Sequence, residues 1–170
     1  MTEKTVHSKK GLEIIKNLIK EGKRIFTLKE AEAFSQSPST RSFLHYLALE
    51  GWIVRLKPGL YAIQMPGAQP LHEFEIAMSL VQPAVVSHWS AMNYHGFTDQ
   101  TPRKIFVTTT ANPPKYQASE KKNRPHIETG YPVMNIFYQF IKTNPERFFG
   151  HTMGVIKDRS SVSSAHNYTN

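Results

Sequence analysis

One short stretch of the chain places small hydroxyl side chains, an arginine and a histidine at the start of a predicted helix. These residues are Ser39, Thr40, Arg41, Ser42 and His45. Hydroxyl, guanidinium and imidazole groups at a helix N-terminus are suited to contact base edges and phosphates in a groove of DNA. The residue types therefore predict a DNA-contacting helix. Ser39 is its expected N-cap, because a serine hydroxyl can accept a hydrogen bond from a first-turn amide.

The same helix carries an apolar stripe that would hold its polar residues outward. The stripe consists of Phe43, Leu44, Leu47 and Ala48. Their helical spacing predicts one buried face. Ser42 and His45 then point away from that face, and Arg41 lies on its flank. Gly51 is expected to end the helix, since glycine is the residue that most readily adopts the left-handed conformation of a helix C-terminus.

A basic hairpin is predicted directly after this helix. Residues 52–56 and 60–63 are rich in β-branched, aliphatic and aromatic side chains, and a Lys-Pro-Gly turn separates them. Cationic side chains on such a hairpin can neutralise phosphates or enter the minor groove. Four basic residues complete the candidate contacts: Arg55 and Lys57 on the hairpin, and Lys23 and Arg24 before the second helix.

The elements before the helix complete the pattern of a winged helix-turn-helix. Residues 9–21 are amphipathic with helical spacing, and residues 24–26 are expected to form a short first strand. Thr27 and Glu30 form a capping-box pattern at the start of a second short helix. The order helix, strand, helix, turn, helix, strand, turn, strand predicts a winged-helix DNA-binding domain over residues 9–63, preceded by a frayed end.

A change in composition after the hairpin predicts a linker and a second domain. Residues 64–70 contain two prolines and a glycine, which interrupt regular structure. A small mixed α/β domain is expected over residues 71–158, and residues 159–170 are expected to be a disordered tail because they have little apolar content. Helices are expected over 71–81 and 87–94, strands over 84–86, 103–109, 126–129, 133–141 and 148–157, and a turn at 130–132. The fold class is therefore α+β.

Composition and charge favour an anionic partner. The 170 residues have a net charge of +8 and no cysteine, so disulfides and thiolate metal sites are excluded. The first 63 residues carry 11 basic and 6 acidic side chains, against 10 and 7 in the rest. Nucleic acid is the expected partner and an acidic membrane surface is the alternative. No apolar run approaches a membrane span and no secretory signal is present, so a cytoplasmic location is expected.

Several titratable residues of the second half invite a metal or acid–base interpretation. They are His72, Glu73, His88, His95 and Asp99. Their spacing fits neither an HExxH motif nor a zinc-ligand pattern, and glycine-rich nucleotide motifs are absent. We therefore expect no cofactor, no metal site and no enzyme activity. The basic run at Lys121–Arg124 is either an exposed loop or a second phosphate contact.

Several segments resemble one known family. RIFTLKEA at residues 24–31 and FLHYLALEGWIVRLKPGLYAI at residues 43–63 resemble the N-terminal winged helix of AbiEi-type antitoxins. These are transcriptional regulators of type IV toxin–antitoxin, or abortive infection, systems. HEFEIAM at residues 72–78 and VVSHWSAMNYHGFTDQTP at residues 85–102 resemble the family's segment after the linker, and the His-Gly part is the most specific. The resemblance extends over about residues 25–150.

The resemblance implies an antitoxin whose winged helix binds repeats in its own promoter, with a nucleotidyltransferase-like toxin as partner. The family's DNA-contacting region coincides with the helix and hairpin described above, and no catalytic residue is implied. Family members continue beyond the GVIKD-like strand, whereas RSSVSSAHNYTN stands here, so we expect a C-terminally truncated second domain. Two alternatives stay open: a regulator without a toxin partner, and a toxin-binding interaction module with a purely structural winged helix.

Overall fold

The computed structural model describes residues 3–67, 69–114, 130–149, 151–158 and 161–169. The chain divides into two units, Met1–Leu71 and His72–Asn170. None of the helices in these described ranges is long and apolar enough to cross a membrane.

The first unit has the order of elements expected for a winged helix. Its elements are α1 (Glu3–Lys20), β1 (Ile25–Thr27), α2 (Leu28–Ser35), α3 (Thr40–Leu49), β2 (Ile53–Lys57) and β3 (Leu60–Ile63). The strands form an antiparallel sheet in the order β1-β3-β2. Helix α1 begins at Glu3 rather than at residue 9, because no glycine or proline interrupts residues 3–8 and an existing helix extends at one hydrogen bond per residue.

One hydrophobic core holds the three helices and the sheet of this unit together. Ile15 and Leu18 of α1, Phe26 of β1, and Leu44 and Leu47 of α3 are all buried in it. The predicted stripe of α3 therefore faces the core, although Ala48 at its edge is only half-buried. Because the stripe fixes the rotation of α3 about its axis, it also decides which side chains α3 exposes.

The second unit is a mixed α/β structure. Its elements are α4 (Glu73–Leu80), β4 (Ala84–Val86), α5 (His88–Tyr94), β5 (Lys104–Thr109), β6 (Gly130–Val133), β7 (Ile136–Lys142), a 3-10 turn (Pro145–Arg147), β8 (His151–Asp158) and β9 (Ser161–Thr169). The six strands form one sheet in the order β6-β7-β5-β4-β9-β8. The prediction of an α+β protein with an N-terminal winged helix is confirmed.

The turn expected at residues 130–132 is instead strand β6, which pairs antiparallel with β7. Gly130 is buried, and the ring of Phe137 occupies the space that a Cβ at this position would need. Pro132 lacks an amide donor, and it is tolerated because β6 lies at the edge of the sheet. Here the glycine allows close packing and the proline occupies an edge strand. In a sequence, the two residue types more often indicate a turn.

The end of the chain also differs from the sequence expectation. Residues 159–170 were expected to be a disordered tail, but Ser161–Thr169 form β9. This strand pairs antiparallel with β8 and parallel with β4. Backbone hydrogen bonds to two neighbouring strands hold a segment that has little apolar content of its own. The strand expected over residues 126–129 and the basic run at Lys121–Arg124 lie outside the described residues.

Candidate nucleic-acid interface

A complete capping box begins α2 and fixes the approach to α3. The Glu30 amide donates to Thr27 Oγ1 at 3.3 Å, and the Thr27 amide donates to Glu30 Oε2 at 2.7 Å. Burial alone would raise the pKa of Glu30. Hydrogen bonds from Lys23 and from Thr27 outweigh it and lower that pKa below its usual value. The capping box predicted from the sequence is therefore present, and its Glu30 carboxylate is charged at neutral pH.

The turn between α2 and α3 contains Thr40, whose hydroxyl group was predicted to contact DNA. Thr40 is only 1% exposed, its hydroxyl donates to the Ser37 carbonyl at 2.7 Å, and it contacts the Ser35 hydroxyl. Gln36 adopts a left-handed conformation that allows this tight turn. Because the Thr40 side chain is enclosed by the turn, it holds α3 in place and cannot reach a DNA base.

Ser39 occupies the N-cap position of α3, but its side chain makes no capping hydrogen bond. Its ψ angle of 8° differs from the extended conformation in which a serine hydroxyl reaches a first-turn amide. The Thr40 amide instead donates to the Ser37 carbonyl at 3.3 Å. The prediction of a side-chain cap is wrong, and the Ser39 side chain stays half-buried beside the turn.

Three of the predicted contact residues lie on the solvent-exposed face of α3. Arg41, Ser42 and His45 are exposed, and the buried stripe lies on the opposite face. Arg41 forms no ion pair with any described residue, and the first turn of α3 contains no acidic residue. An arginine at a helix N-terminus without a nearby carboxylate favours a negatively charged partner.

The sequence analysis did not single out Leu49, which continues the line of Arg41 and His45 along α3 at four-residue spacing. This leucine is 69% exposed. The apolar stripe predicted which face of α3 is buried, and the helical period places Leu49 outside that face. This position was the signal that could have identified Leu49 as an exposed residue. An exposed leucine on this face can contact the methyl group of a thymine.

The end of α3 is fixed by a Schellman motif that directs the chain into the hairpin. Gly51 has a φ angle of +79°, and its amide donates to the Ala48 carbonyl at 3.2 Å. The Trp52 amide donates to the Leu47 carbonyl at 2.9 Å. This pair of hydrogen bonds defines the motif. The prediction that Gly51 ends the helix is confirmed, and β2 begins two residues later.

A β-bulge determines which hairpin side chain is exposed. The register of β2 against β3 shifts between Arg55 and Lys57, so the alternation of the strand changes phase there. As a result Leu56 is buried with Ile53, and Arg55 is exposed. Lys57 is half-buried, and burial lowers its pKa. Arg55 is therefore the fully exposed cation of β2.

The two remaining basic candidates have partners within the first unit. The Lys23 ammonium lies 2.7 Å from Glu30 Oε1 and 3.3 Å from Glu21 Oε2, and its hydrogen bond with Glu30 raises the pKa of Lys23. Arg24 donates to the Gln69 carbonyl at 2.5 Å. Two carboxylates compensate the charge of Lys23, so this side chain is a weaker phosphate contact than its position in the sequence indicated.

Two candidate histidines of the second unit, His72 and His95, lie at helix ends. His72 is the N-cap of α4 and accepts from the Phe74 amide through Nδ1 at 3.1 Å. His95 is the C-cap residue of α5. Within the described part of the chain, no three histidine, aspartate or glutamate residues are grouped so that they could hold a metal ion.

A three-helix core, a capped helix-turn-helix and a basic hairpin define the first unit as a winged helix of the kind that transcriptional regulators use. Residues 13–64 match the family described as "Transcriptional regulator, AbiEi antitoxin". The resemblance seen in the sequence is confirmed over these residues. This is a family of regulators and not of enzymes. None of the curated proteins matches the chain. The resemblance beyond residue 64 stays a prediction.

Proposed function

We propose that the winged helix binds double-stranded DNA sequence-specifically and represses transcription from the protein's own promoter. The observation that carries this proposal is the exposed face of α3. Arg41, Ser42 and His45 lie on this face, opposite the buried apolar stripe. The turn before α3 and the Schellman motif after it fix the two ends of the helix. The family match supports a regulator or antitoxin role in general.

In the proposed complex the N-terminal half of α3 lies in the major groove. Arg41 donates to a guanine edge or a phosphate, and His45 and Ser42 contact neighbouring groups. Arg55 and Lys57 on the hairpin contact the phosphate backbone. Exposed lysines of α1 add to the positive surface: Lys9, Lys10, Lys16 and Lys20. Lys10 lies 6.0 Å from the centre of the Phe43 ring, which brings this cation next to α3.

A gel-shift titration with the DNA upstream of the protein's own gene tests this function. The expected result is a discrete complex that survives an excess of unrelated duplex. A reporter driven by the same DNA is expected to lose expression when the protein is supplied. Absence of a shift at low salt would remove the proposal, since low salt favours every electrostatic contact with DNA.

A second candidate function is neutralisation of a nucleotidyltransferase-like toxin through the second unit. Large apolar side chains of α5 and the following turn are exposed, including Trp89, Met92 and Phe97, the last at 77%. Clustered apolar exposure is typical of protein-interaction surfaces. Rescue by this protein of cells that express a nucleotidyltransferase-like toxin, and loss of that rescue in Phe97→Ser, would support this role. Both roles imply that the protein acts in the cytoplasm.

A further inference from the structure

A polar cavity of about 370 Å³ lies within the second unit, where β4, β5 and β7 end. Its polar lining consists of Ser87, His88, Thr108, Lys142, Thr143 and Arg147. No acidic residue is among the described side chains of this lining. Three groups that are or can become cationic thus share one concave surface with three hydroxyl side chains.

A hydrogen-bonded network fixes one wall of this cavity. Ser87 is only 3% exposed, its hydroxyl accepts from Thr108 Oγ1 at 2.8 Å, and it lies 2.9 Å from His88 Nδ1. Because the Nδ1 edge of the ring is held by Ser87, Nε2 is the nitrogen through which His88 can contact a ligand. Ser87 is too buried to attack a substrate, so the network is suited to binding rather than to nucleophilic chemistry.

The backbone of His88 is unusual at the same place. Its φ angle is +53°, a left-handed conformation that residues with a Cβ seldom adopt. The packing around Ser87 and the pairing of β4 with β5 maintain this conformation. Strained non-glycine residues of this kind concentrate at ligand sites. This backbone conformation determines the direction in which the exposed imidazole of His88 projects from the backbone.

Lys142 and Arg147 also line this cavity. Lys142 donates to Asn112 Oδ1 at 2.7 Å, which orients the ammonium group and leaves further N–H donors for a ligand. Arg147 is exposed at the end of the 3-10 turn. Guanidinium and ammonium donors that line the same concave surface match the oxygens of a phosphate group.

We propose that this cavity binds the phosphate group of a small phosphorylated ligand. Its volume lies near the lower end of the range for small-molecule sites, which suits a nucleoside monophosphate or a smaller phosphomonoester. Arg147 and Lys142 hold the phosphate charge, and His88 and Thr143 orient it. All residues of this site belong to the second unit, whereas α3 belongs to the first.

Residue-resolved NMR titrations of the full chain test this site. Inorganic phosphate and adenosine 5′-monophosphate are added separately at constant ionic strength, with sodium chloride as the reference. We expect saturable amide shifts at Ser87, His88, Thr108 and Thr143. Arg147→Gln and Lys142→Gln are each expected to weaken binding about tenfold, as for loss of one charged hydrogen bond. Arg103→Gln is the matched control, since Arg103 is exposed but does not line the cavity.

The outcomes of these titrations distinguish between two kinds of ligand, and they also show whether the proposed site exists. Tighter binding of the nucleotide than of inorganic phosphate identifies an organic phosphomonoester as the ligand, and equal binding identifies the free anion. Shifts that do not saturate, or that spread over the exposed lysines of α1 and over Arg41 of α3, would overturn the site. Unchanged affinity in both Arg147→Gln and Lys142→Gln would overturn it as well. These substitutions lie on exposed side chains, so superimposable spectra of the unliganded variants confirm that they fold.

Discussion

The role of Thr40 in the structure differs from the role that its residue type predicted. Its residue type predicted a DNA contact, as for Arg41 and His45, because a threonine at the start of a helix can contact DNA. In the structure its hydroxyl is enclosed by Ser35 and Ser37, and 1% of the residue is exposed. The sequence could not reveal this burial, because the left-handed Gln36 that closes the turn has no residue signature of its own.

Replacing Thr40 by valine is therefore expected to affect stability and not DNA contact. Valine keeps the shape but removes the hydrogen bonds that the Thr40 hydroxyl makes with the Ser37 carbonyl and the Ser35 hydroxyl, which costs about 1–3 kcal/mol. Urea unfolding measures the loss, and Thr40→Ser, which keeps the hydroxyl, is the matched control. A Thr40→Val protein that is fully folded yet has lost its affinity for the promoter would show that Thr40 contacts DNA after all.

Arg55 and Lys23 provide a direct comparison of two cations that looked equivalent in the sequence. Arg55 is exposed, whereas Lys23 lies 2.7 Å and 3.3 Å from two carboxylates. Arg55→Ala is expected to reduce the slope of log K against log salt by about 0.9, the contribution of one neutralised phosphate. Lys23→Ala is expected to leave the slope almost unchanged. Equal slope changes in both variants would contradict this assignment.

At the scale of single elements, local hydrogen-bonding patterns were the most predictable features. The capping box of Thr27 and Glu30 and the end of α3 at Gly51 were both predicted from residue type and spacing, and both are present. Each depends on residues within a few positions of one another. In contrast, β9 pairs with β4, which lies far away in the chain, and Gly130 in β6 is explained by the Phe137 ring that packs against it. Residues 161–169 and Gly130 were therefore misinterpreted.

The lowered pKa of Glu30 predicts a pH dependence of the first unit. A carboxylate whose folded pKa lies below the unfolded value stabilises the fold above the unfolded pKa, here 4.5, and loses that contribution as the pH falls through the folded pKa. Glu30→Gln is expected to cost below about 1 kcal/mol at pH 7, because the pair with Lys23 is partly exposed. The difference from the parent protein is expected to vanish well below pH 4.

Tryptophan fluorescence can follow this unit alone. The chain has two tryptophans, and a Trp89→Phe background leaves Trp52, which packs against the core of the first unit. Urea unfolding of the parent and of Glu30→Gln is then compared between pH 3 and 7. A difference between them that stays constant over this range would show that the Glu30 charge does not contribute.

Gly51 allows a test of the connection between α3 and the hairpin. Its φ angle is +79° and no atom lies within 4 Å of a Cβ built there, so Gly51→Ala introduces backbone strain without a clash. The expected loss is about 1–2 kcal/mol in unfolding free energy. Gly51→Asn is the control and is expected to cost less, because asparagine tolerates this conformation. Equal losses in both variants would indicate that side-chain volume, not backbone conformation, matters here.

At the scale of the whole molecule, the chain combines a winged helix with a mixed α/β unit that carries its own cavity. The family match ends at residue 64, inside the first unit. We retain the proposal that residues 64–70 link two domains. The sequence predicted the fold class because both units have strong periodic patterns. It did not predict the cavity, because Ser87, Thr108, Lys142 and Arg147 come together only through the order of strands in the sheet.

The central claim is that the exposed face of α3 reads DNA sequence. Fluorescence anisotropy with promoter duplex and with unrelated duplex, at several salt concentrations, tests it most directly. Arg41→Ala is expected to weaken promoter binding at least several-fold at every salt concentration and to affect unrelated duplex less, whereas Arg103→Ala, on the second unit, leaves both affinities unchanged. Promoter affinity that is the same in Arg41→Ala and in the parent protein throughout this range would contradict the account.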